Sequence, residues 1–247
     1  MKSWRALGLR IGASAVIAAV PLISAGQAAP AAPPRHGKLL YKDDFHHGLD
    51  QWKLETEKPG SVIAKDGVLD IDVPAGATLW FRTKLKGPLL IEYQAKVIAE
   101  GGANDRVSDL NCFWMATDPK HPDDIFAGDR HGAFAEYNSL LTYYVGLGGN
   151  GNTTTRFRRY IASLVERPLL PQNDLSSKEF LIQPNHTQTI RLVADGNNVA
   201  FYRDAQRIFS LEDDHPYTEG WFAIRTTKSH IAISHLRIYQ LRADHQG

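Results

Sequence analysis

The residues most able to do chemistry crowd into one stretch, residues 137–160, YNSLLTYYVGLGGNGNTTTRFRRY. It reads as two β-strands joined by a Gly/Asn loop, dense in Tyr, Thr, Asn and Arg. With period two, the second strand places Arg156, Arg158 and Tyr160 on one face. Thr155, Phe157, Arg159 and Ile161 fall on the other, and Phe157 and Ile161 suit a core. The first set should therefore face solvent. Arginine forks bind carboxylates at two points, and aromatic faces pack against the C–H face of a sugar. An anionic, ring-shaped ligand is the natural complement. The bland alternative is a solvated edge whose charges discourage strand pairing.

The same parity argument extends to other apolar segments. In 110–115, Leu110, Cys112 and Trp114 suit the core and leave Asn111 open. In 141–146, Leu141, Tyr143 and Val145 point inward, leaving Thr142 and Tyr144 outward. Phe222 and Ile224 point inward from 221–227, leaving Trp221, Arg225 and Thr227. Leu79 and Phe81 do so from 78–84, leaving Trp80 and Arg82. A one-residue slip would invert each face.

The elements that must position these groups are short. β-Branched and aromatic segments recur at 38–45, 52–55, 61–64, 68–73, 78–83, 89–99, 110–116, 139–147 and 153–161. They continue at 188–194, 198–203, 207–210, 221–226 and 230–241, separated by Gly, Pro, Asn and Asp. This is the pattern of an all-β sandwich. Lys65-Asp66-Gly67 and Asp195-Gly196-Asn197 read as hairpin turns, because Gly, Asn and Asp tolerate positive φ. Two long loops, 118–131 and 165–178, are placed to line or cover a cleft, the first with room for a helical turn. GLGGNGN is followed by neither a helix nor Lys-Ser/Thr, so it reads as a hairpin connection and not a phosphate loop.

Of the 247 residues, 1–28 carry Lys2, Arg5 and Arg10 ahead of an apolar run and small residues. That is a secretory signal peptide, too short and Ala-rich for a membrane span, with an uncleaved anchor as the alternative. Residues 29–37 then form a flexible leader, 38–241 one domain and 242–247 a tail. Cleavage leaves 25 of the 28 basic residues against 27 acids, a net charge of −2. Nucleic-acid binding by phosphate neutralisation is thus disfavoured, and anion recognition must be local. The expected protein is secreted or periplasmic, monomeric and free of the membrane after cleavage. Cys112 is the single cysteine and reads as a buried small hydrophobe. The histidines show no zinc spacing.

DDFHHGLDQWKLE, KDGVLDIDV, GPLLIEYQAKV and EGWFAIRTTKSHIAISHLRIYQL together resemble the concanavalin-type jelly roll of lectins, laminarinase-type glucanases and several polysaccharide lyases. YYVGLGGNGNTTTRFRRY with GWFAIRTTKSH is similar to secreted bacterial domains of polysaccharide breakdown. The resemblance spans 38–241 and implies two curved antiparallel sheets with carbohydrate on the concave one. It implies no required cofactor. A structural Ca²⁺ would be in keeping, with Asp43, Asp44 or the last strand offering oxygens.

The glucanases of that superfamily use paired carboxylates on one strand, as retaining hydrolysis requires. Here the strand acids Glu92 and Glu136 are isolated, and Asp43-Asp44, Asp123-Asp124 and Asp213-Asp214 lie at strand ends or in loops. β-Elimination on a uronic-acid-containing glycan suits the inventory better. It needs a group that neutralises the substrate carboxylate, a base, and an acid for the leaving oxygen. Tyr144 is expected as acid or base and His230 as partner base, with Arg156 and Asn111 on the carboxylate. Arg82, Arg158, Tyr160, Trp221 and Arg225, with Trp80, would hold an acidic poly- or oligosaccharide. Each also has a structural reading: Tyr144 at the rim of the core, His230 satisfying local backbone. The alternatives are a glycoside hydrolase using dispersed carboxylates such as Glu136, or a binding module stacking sugars on Trp80, Trp221 and Tyr160.

Overall fold

The computed structural model describes residues 32–241. The expected signal peptide, residues 29–31 of the leader and the tail lie outside the described residues. Sixteen strands run in chain order. They are β1 Lys38–Asp43, β2 Trp52–Thr56, β3 Ser61–Lys65, β4 Val68–Val73, β5 Ala77–Phe81, β6 Leu85–Lys86, β7 Leu89–Val97 and β8 Leu110–Thr117. There follow β9 Leu141–Gly148, β10 Thr154–Ile161, β11 Asp174–Leu175, β12 Gln188–Asp195, β13 Asn198–Arg203, β14 Gln206–Glu212, β15 Glu219–Thr226 and β16 Ser229–Gln240. Every segment expected to be a strand has a counterpart. The two-residue β6 and β11 were not foreseen, since two residues carry no period.

The strands form two antiparallel sheets. The first has the order β14-β13-β12-β7-β16-β4-β3, with β1 also on β16; the second has β11-β10-β9-β8-β15-β5-β2, with β6 on β15. β7 shows why they stack. Leu89, Ile91, Tyr93, Ala95 and Val97 alternate with partly exposed Glu92, Gln94 and Lys96, giving one face to the core. From the opposite sheet Leu110, Cys112, Trp114, Tyr143, Val145 and Phe222 meet them. The Trp114 indole crosses the interior and donates to the Val193 carbonyl at 3.3 Å. Burial pushes the Cys112 thiol up to about 12, in keeping with an inert core residue. Ile161, expected inside, stands exposed at the end of β10.

The outer face of the second sheet carries its own apolar layer. Trp80, Phe113, Tyr144, Tyr160, Trp221 and Ala223 pack there against Ile125, Tyr137 and Leu140. The last three come from the segment between β8 and β9, which contains 3₁₀ turns at Ile125–Ala127 and Phe134–Ser139. This segment is the expected loop with its helical turn, folded down as a cover. Arg130 anchors it. The side chain is buried, with Nη1 at 3.4 Å from Asp118 and Nε at 3.6 Å from Glu55, and it also donates to the Ile125 carbonyl. Glu55 accepts in addition from Trp80 Nε1 at 3.0 Å and Tyr137 OH at 2.8 Å.

Breaking a buried ion pair from one side leaves an uncompensated charge. Arg130→Met should therefore lower unfolding free energy by about 3–5 kcal/mol in urea titration. An unchanged midpoint would mean that the two carboxylates find water instead.

Candidate functional site

β9 and β10 form the hairpin that holds the site. Its turn runs through Gly148, Asn150, Gly151 and Asn152 at positive φ of 66°, 54°, 70° and 60°. Gly and Asn are the residues that adopt that conformation at least cost, which accounts for the GLGGNGN composition. The pairing register then sets side chains in rows across the second sheet. One row runs Arg158, Tyr144, Phe113, Ala223 and Trp80. The next runs Arg156, Gly146, Asn111, Arg225 and Thr78. The parity expected for Asn111, Tyr144, Arg225 and Trp80 is the parity observed.

At the hairpin end of these rows lies a cavity of about 440 Å³. Tyr144, Arg156 and Arg158 line it together with Arg106, Asp109, Phe134 and Arg167, and Thr227 closes one side. Tyr144 is 6% exposed and packs on Phe113, Phe134 and Tyr160 at 5.0, 5.4 and 5.5 Å between ring centres. Its phenol lies over Gly146, where a Cβ would stand 2.9 Å from the hydroxyl. Burial first, then the neighbouring Tyr160, holds its pKa well above the ordinary phenol value, with Arg225 acting against them. The group is a neutral proton donor.

The cavity is cationic. Arg156 is forked onto Asp174 at 2.8 and 3.1 Å. Arg158 donates to the Arg167 carbonyl, and Arg167 lies over the Phe134 ring at 5.4 Å. Neither is ion-paired among the described residues. Burial first, with Arg167 and Arg156 beside it, holds the Arg158 pKa below the ordinary guanidinium value against the pull of Tyr160. Among the described residues Asp109 is the single carboxylate in the lining.

Several expected site residues stand elsewhere. His230 is on β16, in the other sheet, with Nδ1 at 2.9 Å from Asp105 and Nε2 at 3.0 Å from Asp70, so it is no partner to Tyr144. Trp80, Trp221 and Tyr160 face outward but are buried at 0%, 3% and 1%, the first two beneath the cover and Tyr160 beside it, and offer no open stacking platform. Arg225 is likewise enclosed, donating to Thr78 Oγ1 and the Gly132 carbonyl at 2.8 Å each and lying under Phe134 and Tyr137. Arg82 is exposed and outside the cavity lining. Asn111 is buried at its edge, donating to Asp109 at 3.3 Å with Oδ1 unpartnered. Asp43 accepts from Phe45 N and Trp52 Nε1, and Asp44 pairs with Arg237 and Lys42. Among the described residues no group of three or more His, Cys, Asp or Glu is arranged to hold a metal.

Arg106, Asp109, Phe134 and Arg167 were not anticipated as site residues. They come from loops and, for Phe134, the start of a 3₁₀ turn, where no period of two marks the inward face. The one available signal was that Phe134 and Arg167 lie in or next to the long segments expected to line a cleft.

His230 fastens the loop that carries Arg106 and Asp109. Burial opposes its charge, but hydrogen bonds donated to Asp70 and Asp105 outweigh it, so its pKa is raised above 6.5. Backbone donors Glu100 and Gly102, then His230, hold Asp105 down to about 2. The His230 contribution to stability is thus complete below about pH 6.5 and lost as pH rises through the raised folded value. That of Asp105 is present above about pH 3.9 and lost as pH falls towards its folded value. Melting temperatures of wild type and His230→Gln should accordingly differ at weakly acidic pH and converge at alkaline pH; a gap independent of pH would contradict the linkage. Gly146→Ala should leave the fold intact but displace the Tyr144 ring, seen as a changed tyrosine signal in near-ultraviolet circular dichroism.

Solved structures share this architecture at low identity. A Bacillus subtilis protein of unknown function with a galectin-like fold is 16% identical with a TM-score of 0.65, covering 84% of this chain and 99% of its own. The carbohydrate-binding module CBM66 of Bacillus subtilis is 9% identical with a TM-score of 0.51, covering 78% and 97%. The endo-β-1,3-glucanase of Pyrococcus furiosus is 10% identical with a TM-score of 0.52, covering 87% and 99%. These likenesses establish the fold: the chain is a jelly roll of the concanavalin-like kind, as the sequence resemblance implied. No curated protein matches it in sequence. The family described as Domain of unknown function (DUF6250) matches residues 71–236, well over half of the chain, and to that family the protein belongs.

Proposed function

We propose that the protein is a carbohydrate-active jelly roll that takes an acidic polysaccharide into the arginine-lined cavity beside Tyr144. There it cleaves the glycan by β-elimination, as a polysaccharide lyase. The observation that carries this reading is the pair Arg158 and Arg167, two guanidiniums without carboxylate partners among the described residues, lining one cavity with a neutral phenol. A uronate carboxylate between them would accept hydrogen bonds from both, and the two cations would offset the negative charge that elimination builds on it. Arg156, already forked onto Asp174, adds field and not a free fork. Tyr144, which burial keeps protonated, donates the proton to the leaving oxygen. The carbohydrate-binding and glucanase names among the structural relatives support a glycan ligand through shared architecture only. Removal of residues 1–28 on export would place the enzyme in the periplasm or outside the cell.

A glycosidase needs two carboxylates flanking one bond. Among the described residues Asp109 is the one carboxylate lining this cavity, and Glu136 is occupied within its own loop by the His131 and Ala133 amides.

The test is incubation with alginate, glucuronan, pectins, gum arabic and glycosaminoglycans, following the ultraviolet absorbance of an unsaturated uronate. Wild type should produce it on at least one glycan. Tyr144→Phe should lower the rate about 10²–10⁴-fold with binding retained, and Arg158→Ala should chiefly raise KM. New reducing ends without absorbance would replace elimination by hydrolysis. Binding without any cleavage would make the protein a carbohydrate-binding module.

A further inference from the structure

Elimination needs a proton acceptor, and His230, held between Asp70 and Asp105 on the opposite sheet, does not supply one. Resting on the reading above, we propose that Asp109 is the base, taking the C5 proton of a 4-linked uronate whose leaving oxygen is protonated by Tyr144.

Asp109 is built into the cavity more firmly than its place in a connecting loop would require. It enters β8 at φ 59°, in the left-handed region, which Asp tolerates better than most residues. Its amide donates to the Gly148 carbonyl at 3.1 Å. Ser229 Oγ in turn donates to the Ser108 carbonyl at 3.3 Å. The backbone is thereby tied to the β9–β10 turn on one side and to β16 on the other. The carboxylate is aimed by neutral donors. Oδ2 accepts from Thr227 Oγ1 at 2.9 Å and from Ser108 Oγ, and Oδ1 accepts from Asn111 Nδ2 at 3.3 Å. The nearest cation, Arg106, stands at 3.8 Å, too far for a hydrogen bond. Asn111 is paired across the strands with Gly146, the residue over which the Tyr144 phenol lies. Acid and base candidates therefore flank one point in the sheet. The strained backbone at a cavity wall is the kind of feature that functional sites retain.

The step balances without a co-reactant. The Asp109 carboxylate takes the C5 proton, and the electron pair delocalises into the substrate carboxylate held by Arg158 and Arg167. That pair then forms the C4=C5 bond as C4–O4 breaks, and O4 leaves with the Tyr144 phenolic proton. Transfer of the proton from Asp109 to the Tyr144 phenolate through water restores both groups.

The test is Asp109→Asn, which keeps the shape and tolerates positive φ, with Asp109→Glu beside it. On the glycan that wild type cleaves, Asp109→Asn should lower kcat/KM about 10²–10⁴-fold. Melting temperature and glycan affinity should stay at wild-type values. Wild-type turnover by Asp109→Asn would overturn the assignment and leave elimination standing. Parallel loss of melting temperature and affinity, with no activity restored by Asp109→Glu, would overturn it in favour of a structural role. Failure of wild type to form an unsaturated product on any acidic glycan would remove the elimination reading itself, and the base with it.

Discussion

A buried guanidinium decides how much of this sheet is open. Arg130, within the segment that joins β8 to β9, lies between Glu55 and Asp118, and none of these charges is tolerable there without the others. Glu55 also receives Trp80 and Tyr137, so the network closes the aromatic layer around itself. The outer face of the second sheet is therefore filled by the chain's own side chains over the end formed by β2, β5 and β15. Among the described residues, what remains accessible is the end formed by β9 and β10, where the arginine-lined cavity lies.

That confinement shapes the electrostatics. Charges on an open sheet are screened by water, whereas in a partly enclosed cavity of about 440 Å³ they act at lower effective dielectric. Arg158 feels this as a loss of hydration beside two further arginines, and Tyr144 as a phenol that keeps its proton. Both consequences point the same way. A bound anion would relieve the first, and a neutral donor is what a leaving oxygen needs.

The loops that complete the cavity are fastened at a distance. Asp105 is tied to His230 and, through it, to Asp70 on β4, so the segment carrying Arg106 and Asp109 is braced against the first sheet. Arg159, on the other face of β10, pairs with Asp213, which also accepts from Tyr143. The β9–β10 end of the sandwich is thus held by polar ties at its back and rim.

Period two in the sequence was enough to find the strands, to turn Trp114 and Tyr143 inward, and to put Asn111, Tyr144, Arg156 and Arg158 on one face. A strand's side-chain direction is a local property, written in alternation. Which outward residues see solvent is not local. Trp80, Trp221 and Arg225 have the parity of ligand-binding groups, yet the segment between β8 and β9 covers them. His230 has the chemistry of a base, yet strand order places it on the opposite sheet. Asp109 and Arg167 lie in loops, which have no period, so only the folded chain brings them beside Tyr144. The sequence determined the sandwich and the orientation of its faces, because those depend on neighbours two residues apart. The composition of the site was decided by tertiary structure, because it depends on contacts between elements far apart along the chain.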